Sequence, residues 1–219
     1  MKRFWLLLLA LAPWVQAQPP TTAAQAWLEL REGNLRFVEG PRTLHHQSKS
    51  WRDHLSNAQH PKAIILGCAD SRVPPELLFD QGFGDLFVVR IAGNVVDLNV
   101  AASLDYALHH TGAHLIVVLG HEDCGAVTAA LQDHSREDLV VRYLLKQIIP
   151  ALASVPREGP MPERVRAGVY ANVRQSLSEI EAMPSCQKGL ANGELLVVGG
   201  VYNLHSGAVD WLDKEGKQP

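Results

Sequence analysis

Four short apolar runs set what this chain can fold into. They are Ala63-Ile-Ile-Leu-Gly67, Leu86-Phe-Val-Val-Arg-Ile91, Leu115-Ile-Val-Val-Leu119 and Leu195-Leu-Val-Val198, the last continuing through Val201-Tyr-Asn-Leu204. Each is too short for a core helix and lacks the polar alternation of a half-wet strand. They read as strands buried on both faces. Between them lie stretches with helical periodicity at 75–80, 98–110, 125–131, 138–154 and 163–182. Strands alternating with helices predict an α/β fold with a mainly parallel central sheet, flanking helices and right-handed crossovers. Residues 23–39 form an amphipathic N-terminal helical arm, with Trp27, Leu30, Phe37 and Val38 near one side and Gly40-Pro41 ending it. Residues 42–60 read as a polar connection with a short helix around 51–56. His205-Ser206-Gly207 predicts a turn into a last, antiparallel edge strand at 208–212.

That layout gives meaning to two short motifs. Ligands of open α/β sheets sit beyond the carboxyl ends of the strands. Cys68-Ala-Asp70-Ser-Arg72 follows the first strand directly, and His121-Glu-Asp-Cys124 follows the third. Two thiols and one imidazole are a soft nitrogen/sulfur set that suits zinc. Three protein ligands leave a fourth position for water or a reactant, as in catalytic rather than structural sites. Asp70 is close enough in sequence to reach the metal or its water, and Arg72 can hold that carboxylate in a two-point pair. Singly, each residue has an ordinary explanation: a buried cysteine, a core histidine, an N-cap aspartate, a surface ion pair. Together these would be four coincidences at two strand ends.

The N-terminus bounds the domain. Lys2 and Arg3 precede an apolar run from Phe4 to Ala12, and Val15-Gln-Ala17 offers small residues at a cleavage position. This reads as a secretory signal peptide over 1–17, too short to span a bilayer, followed by one domain over 18–219. Its short bacterial style points to the periplasm, with no membrane attachment after removal. The chain is 47% hydrophobic, ample for one core. Its formal charge of −3 offers no basic face for nucleic acid. Export makes a Cys68–Cys124 disulfide conceivable. Metal binding accounts for more, because it also uses His121, Asp70 and Arg72. Cys186, in a polar stretch, reads as a spare thiol. No G-x-S-x-G elbow of a serine hydrolase is present, and Gly82-Phe-Gly84 lacks the third glycine of a dinucleotide loop.

Cys68-Ala-Asp-Ser-Arg-Val-Pro-Pro-Glu76 with Gly120-His-Glu-Asp-Cys-Gly-Ala-Val127 resembles the β-class carbonic anhydrases. Glu32-Gly-Asn-Leu-Arg-Phe37, Phe87-Val-Val-Arg-Ile-Ala-Gly-Asn94 and Tyr202-Asn-Leu-His-Ser-Gly-Ala-Val-Asp-Trp-Leu212 extend the likeness over nearly the whole mature chain. Ala69 departs from the serine common in the family. The resemblance implies zinc-dependent, reversible hydration of carbon dioxide to bicarbonate through zinc-bound hydroxide. It implies one zinc per chain on Cys68, His121 and Cys124, with Asp70 and Arg72 catalytic. Gln59, Phe87, Tyr106 and Gly125 would line the substrate pocket, partly across a dimer interface, in a homodimer or homotetramer. Ile65 stands where the family's other type has tryptophan, so the open-site type is implied.

Two thiolates cancel the charge of Zn²⁺, which three imidazoles do not, so activity is expected to rise through mildly alkaline pH. Rival readings are hydrolysis of carbonyl sulfide or carbon disulfide at the same site, and a non-catalytic, zinc-stabilised binding protein. The sequence does not single out a proton relay; His109 and His110 read equally well as exposed helix residues.

Overall fold

The computed structural model describes residues 21–212, and the expected signal peptide lies outside them. The strands are β1 (Ala63–Gly67), β2 (Leu86–Arg90), β3 (Leu115–His121), β4 (Leu196–Tyr202) and β5 (Val209–Trp211), in the spatial order β2-β1-β3-β4-β5. The pairs β1/β2, β1/β3 and β3/β4 are parallel, and β4/β5 is antiparallel. The expected architecture is therefore present, including the antiparallel edge.

Every residue of β1 and β3 is buried, as their unbroken apolar character requires. Successive side chains alternate between two cores. Ile64, Leu66, Ile116 and Val118 face one core with Leu104, Val127, Leu145, Val169 and Val173. These come from the helices α4 (Leu98–His110), α5 (Gly125–Leu131), α6 (Leu139–Ile148) and α7 (Met161–Glu181). Ala63, Ile65, Leu115, Val117 and Leu119 face the other core with Ala26 and Leu30 of α1 (Ala23–Glu39) and with Phe79. Burying one such large side chain stabilises the fold by about 1.5–3 kcal/mol, so the two central strands anchor the fold.

The arm is also locked by polar contacts. Thr22 and Gln25 form a capping box at the start of α1. Asn34 donates to the carbonyls of Leu78 (3.1 Å) and Gly207 (2.9 Å) and accepts from the Val209 amide (2.9 Å). Gly33 beside it is obligatory, since a Cβ there would lie 1.9 Å from the Phe79 carbonyl oxygen.

Three expectations need correction. The helix expected over 138–154 ends at Ile148 and continues as a 3₁₀ turn over Ile149–Ser154. Pro150 lacks the N–H that would continue the α-ladder. The short helices α2 (Lys49–Leu55) and α3 (Pro75–Leu78) start or stop a residue or two from their expected bounds. Cys186 is set in a polar stretch, yet its own side chain is not at the surface. It lies on α8 (Pro184–Ala191), fully buried in the core, because Pro184 opens a helix that turns one apolar side inward.

Candidate metal centre

The sheet order reverses beside β1. The chain passes from β1 outward to β2, then returns to place β3 on the other side of β1. Such switch points open a crevice at the carboxyl ends of the strands. Gly67 is in register with Leu119, so Cys68 and His121 leave two neighbouring strands at almost the same level. Asp123 then adopts φ of 52° and turns the chain so that Cys124 caps α5.

These turns bring Cys68, His121 and Cys124 together, with their donor atoms all within 4.8 Å of one another. All three are buried, His121 completely. His121 Nδ1 donates to the Glu122 carbonyl at 2.8 Å. That bond fixes the tautomer and leaves a lone pair on Nε2, as metal-ligating histidines require. Nε2 is buried without a hydrogen-bond partner, so this donor set fits a metal ion. Cys68 is pulled down to about 4, chiefly by the Cys124 thiol against it and also by His121 and the amide of Gly93, while burial opposes the shift. Cys124 is pushed up by the Cys68 thiolate and by burial. The pair thus shares one proton, and a cation is the natural replacement for it.

The dyad is formed as expected. Arg72 Nε donates to Asp70 Oδ1 at 2.9 Å, its terminal NH2 to Oδ2 at 2.8 Å, and its backbone amide to Oδ1 at 3.0 Å. The Arg72 hydrogen bond holds the Asp70 carboxyl well below the usual carboxylate range. Asp70 Oδ2 lies 3.9 Å from His121 Nε2, at the mouth of the thiol–imidazole cluster. Gly125, next to Cys124, is exposed, and a Cβ there would meet nothing within 4 Å. The cluster therefore has one open side with a carboxylate beside it.

The remaining expected pocket residues are dispersed in one chain. Phe87 on β2 and Tyr106 on α4 pack against each other with ring centres 6.4 Å apart. Gln59 is exposed in the connection after α2. Among the described residues, no hydrogen bond or ring contact joins these three to the cluster. His109 and His110 are exposed, with the His110 ring 4.6 Å from Tyr106.

Residues that sequence reasoning missed support the site from behind. Arg90 donates from Nε to the Cys68 carbonyl at 2.9 Å and from its terminal nitrogen to the Asp70 carbonyl. The Gly93 amide points at Cys68 Sγ, 3.3 Å away. Asn172 on α7 donates to the Gly93 carbonyl at 2.6 Å, and Ser176 to that of Asn94 at 2.9 Å. Arg90, Gly93 and Asn94 fall within the Phe87–Asn94 segment of the family likeness, and Asn172 and Ser176 show in the sequence only as polar residues four apart on a helix.

Comparison with known proteins agrees with this geometry. A family model described as carbonic anhydrase matches residues 63–209. Carbonic anhydrase 2 of Mycobacterium tuberculosis is 41% identical over 202 residues, covering 90% of this chain and 97% of that protein. The structure of the β-carbonic anhydrase CcaA superposes with a TM-score of 0.71 at 28% identity, covering 85% of this chain and 95% of that one. A tetrameric β-carbonic anhydrase of Sordaria macrospora gives a TM-score of 0.68 at 28% identity, covering 76% and 88%.

Proposed function

The chain belongs to the β-class carbonic anhydrases, and on that premise we propose that it is a zinc enzyme hydrating carbon dioxide reversibly to bicarbonate and a proton, with Asp70 orienting the reacting water. The observation that carries this reading is an open Cys68–His121–Cys124 cluster with an arginine-held carboxylate at its mouth. Cys68, His121 and Cys124 would hold the ion. Zinc bound there supplies a Lewis acid that makes water nucleophilic near neutral pH.

The chain's own residues set direction. Asp70 is ionised, so it can only accept hydrogen bonds. Accepting one from the reacting water turns that water's lone pair toward the carbon of carbon dioxide. Arg72 occupies both carboxylate oxygens and keeps Asp70 from swinging over the cluster. Gly125 leaves space for a three-atom substrate beside Cys124. The new bond joins the water oxygen to carbon, and the released proton passes to solvent.

Export and self-association belong to the same proposal. Export is supported by the order of charge, apolar run and small residues over 1–17. Assembly as a homodimer or tetramer is supported by exposed apolar side chains, among them Leu98 (84% exposed), Val140 (78%) and Leu139 (76%). It would also bring Gln59, Phe87 and Tyr106 to a shared pocket.

The test is stopped-flow hydration of carbon dioxide by the zinc-loaded chain from residue 18, at about pH 8.5 because thiolate ligands weaken the Lewis acid. Fast hydration, abolished in Asp70→Asn, is expected. No hydration with one zinc bound per chain would refute the reading.

A further inference from the structure

The connection between α1 and α2 carries a second cluster of donor atoms that the reaction does not use. His45, His46 and Asp85 each bring one ligand-capable atom to within 4.8 Å of the others. His45 Nε2 is 3.3 Å from Asp85 Oδ2, and His46 Nδ1 is 2.9 Å from each Asp85 oxygen. The Asp85 side chain is only 5% exposed, while both imidazoles are 30% exposed. The cluster is thus anchored from inside and reachable from water.

Proton bookkeeping shows which atom of His45 faces Asp85. Thr43 Oγ1 lies 2.7 Å from Asp80 Oδ2 and 2.7 Å from His45 Nδ1. Burial works against the charge on Asp80, but Arg36 and Thr43 outweigh it and hold that carboxyl well below its usual range. Asp80 is therefore an acceptor only. A hydroxyl has one proton, and Thr43 gives it to Asp80. The ring must then donate from Nδ1 to Thr43. A neutral imidazole carries one N–H, so Nε2 presents a lone pair. It faces the lone pairs of Asp85 Oδ2 at 3.3 Å. Oδ2 also accepts from the Gly82 amide at 2.8 Å, and a second proton or a metal ion would join the ring to it.

The geometry accommodates the metal. Two donors bonded at about 2.0–2.1 Å to one ion stand roughly 2.9 Å apart at a right angle and roughly 3.4 Å apart at a tetrahedral angle. The observed 2.9 and 3.3 Å match those separations. The non-ligating nitrogen of His45 has the oriented partner that metal-bound histidines have. The His46 ring is clamped face to face on Trp51, with centres 3.8 Å apart and planes 6° from parallel. Trp51 is itself tied to the Phe83 carbonyl at 2.8 Å. Leu44 and His46 both hold positive φ, 48° and 58°, an uncommon pair of strained residues that turns the two imidazoles to one side. Lys62 lies 3.6 Å from the other oxygen, Oδ1, but is drawn off by Glu29 at 2.9 Å.

We propose that His45, His46 and Asp85 form a second metal site, open to solvent, for a divalent transition ion of the zinc class. The ligand set of two imidazoles and one carboxylate selects such ions over calcium or magnesium. The ion ties the connection between α1 and α2 to the foot of β2.

Equilibrium dialysis of the untagged mature chain against buffered free Zn²⁺ tests this. The wild type should hold one equivalent more than either His45→Gln or His46→Ala, with unchanged carbon dioxide hydration in both variants. Co²⁺ loaded last should show nitrogen/oxygen ligation without sulfur charge-transfer absorption. Equal stoichiometry in wild type and variants overturns the proposal, whether the shared count is one or two. Of the two variants, His45→Gln keeps the length and polarity of the side chain, so it covers any folding defect of His46→Ala.

Discussion

Replacing Asn172 with leucine should loosen the candidate metal site from the far side of its turn. Asn172 is buried at 1% exposure and donates to the Gly93 carbonyl at 2.6 Å. The same residue, Gly93, gives its amide to Cys68 Sγ at 3.3 Å. Leucine keeps the branched outline of the side chain but is bulkier, and it leaves that carbonyl buried and unpaired, at a cost of about 1–3 kcal/mol. It also removes Asn172 Oδ1, which has no partner of its own. That relief and the bulk of leucine act in opposite directions, so the net loss should stay at roughly 1–3 kcal/mol. For a chain of this size that lowers Tm by roughly 2–12 °C. Oriented partners behind metal ligands are worth about 10–100-fold in affinity, so zinc binding should weaken by that factor. Thermal unfolding reads the first effect, and competition with a chelator of known affinity reads the second. Ser176→Ala, which frees only the Asn94 carbonyl, should show smaller changes in both. An Asn172→Leu protein that loses stability yet binds zinc as tightly as wild type would show that the turn does not govern the sulfur, and the reasoning would fail.

The dyad, one buried carboxylate and one glycine give further tests. Arg72→Ala removes two of the three hydrogen bonds on Asp70, which stays ionised at neutral pH because an ordinary aspartate titrates near 3.9. Lost orientation should reduce kcat/KM by ~10²–10⁴-fold with zinc stoichiometry unchanged, and a loss under about twofold would contradict the assigned role. Asp80 has a depressed folded pKa, so its stabilisation is complete above the ordinary carboxylate range and is lost as pH falls through the folded value. Asp80→Asn should flatten the fall in urea midpoint below about pH 4, and an unchanged slope would count against it. In Gly120→Ala the new Cβ would meet Val173 Cγ2 at 2.5 Å. The variant should lose about 1–3 kcal/mol, and combination with Val173→Ala should cost less than the sum of the single changes; strict additivity would rule out that clash.

How much of this was legible in sequence depends on what each residue answers to. Ile64, Leu66, Val117 and Leu119 are buried on both faces of the sheet, and unbroken apolar runs report that directly. Cys68, Asp70, Arg72, His121 and Cys124 were legible because rigid strand ends hold them, so spacing along the chain maps onto spacing in space. The break at Pro150 was written in the sequence but hidden by apolar residues around it. Cys186 misled because its neighbours Ser185 and Gln187 are polar, while its own direction on α8 is inward. Asn172 and Ser176 carry no motif, since their partners are backbone carbonyls and any sequence can supply those. Gln59 and Tyr106 followed from resemblance alone, and a single chain leaves both at its surface.

The same distinction says where this site is vulnerable. A ligand at a strand end is positioned by the sheet, which is buried and paired on both sides, so changes elsewhere in β1 or β3 act first on stability. The turn over 92–94 is not part of the sheet, and its hold on Cys68 is a chain of separate contacts. Gly93 keeps φ of 71° under the Ile148 side chain, Asn172 fixes its carbonyl, and its amide reaches the sulfur. Each link is a single interaction. Sensitivity of zinc binding to mutation should therefore follow contact with this turn rather than closeness to Cys68 in sequence. Ile148 and Asn172, 80 and 104 residues away along the chain, should matter more to the metal than exposed Ser71, three residues away.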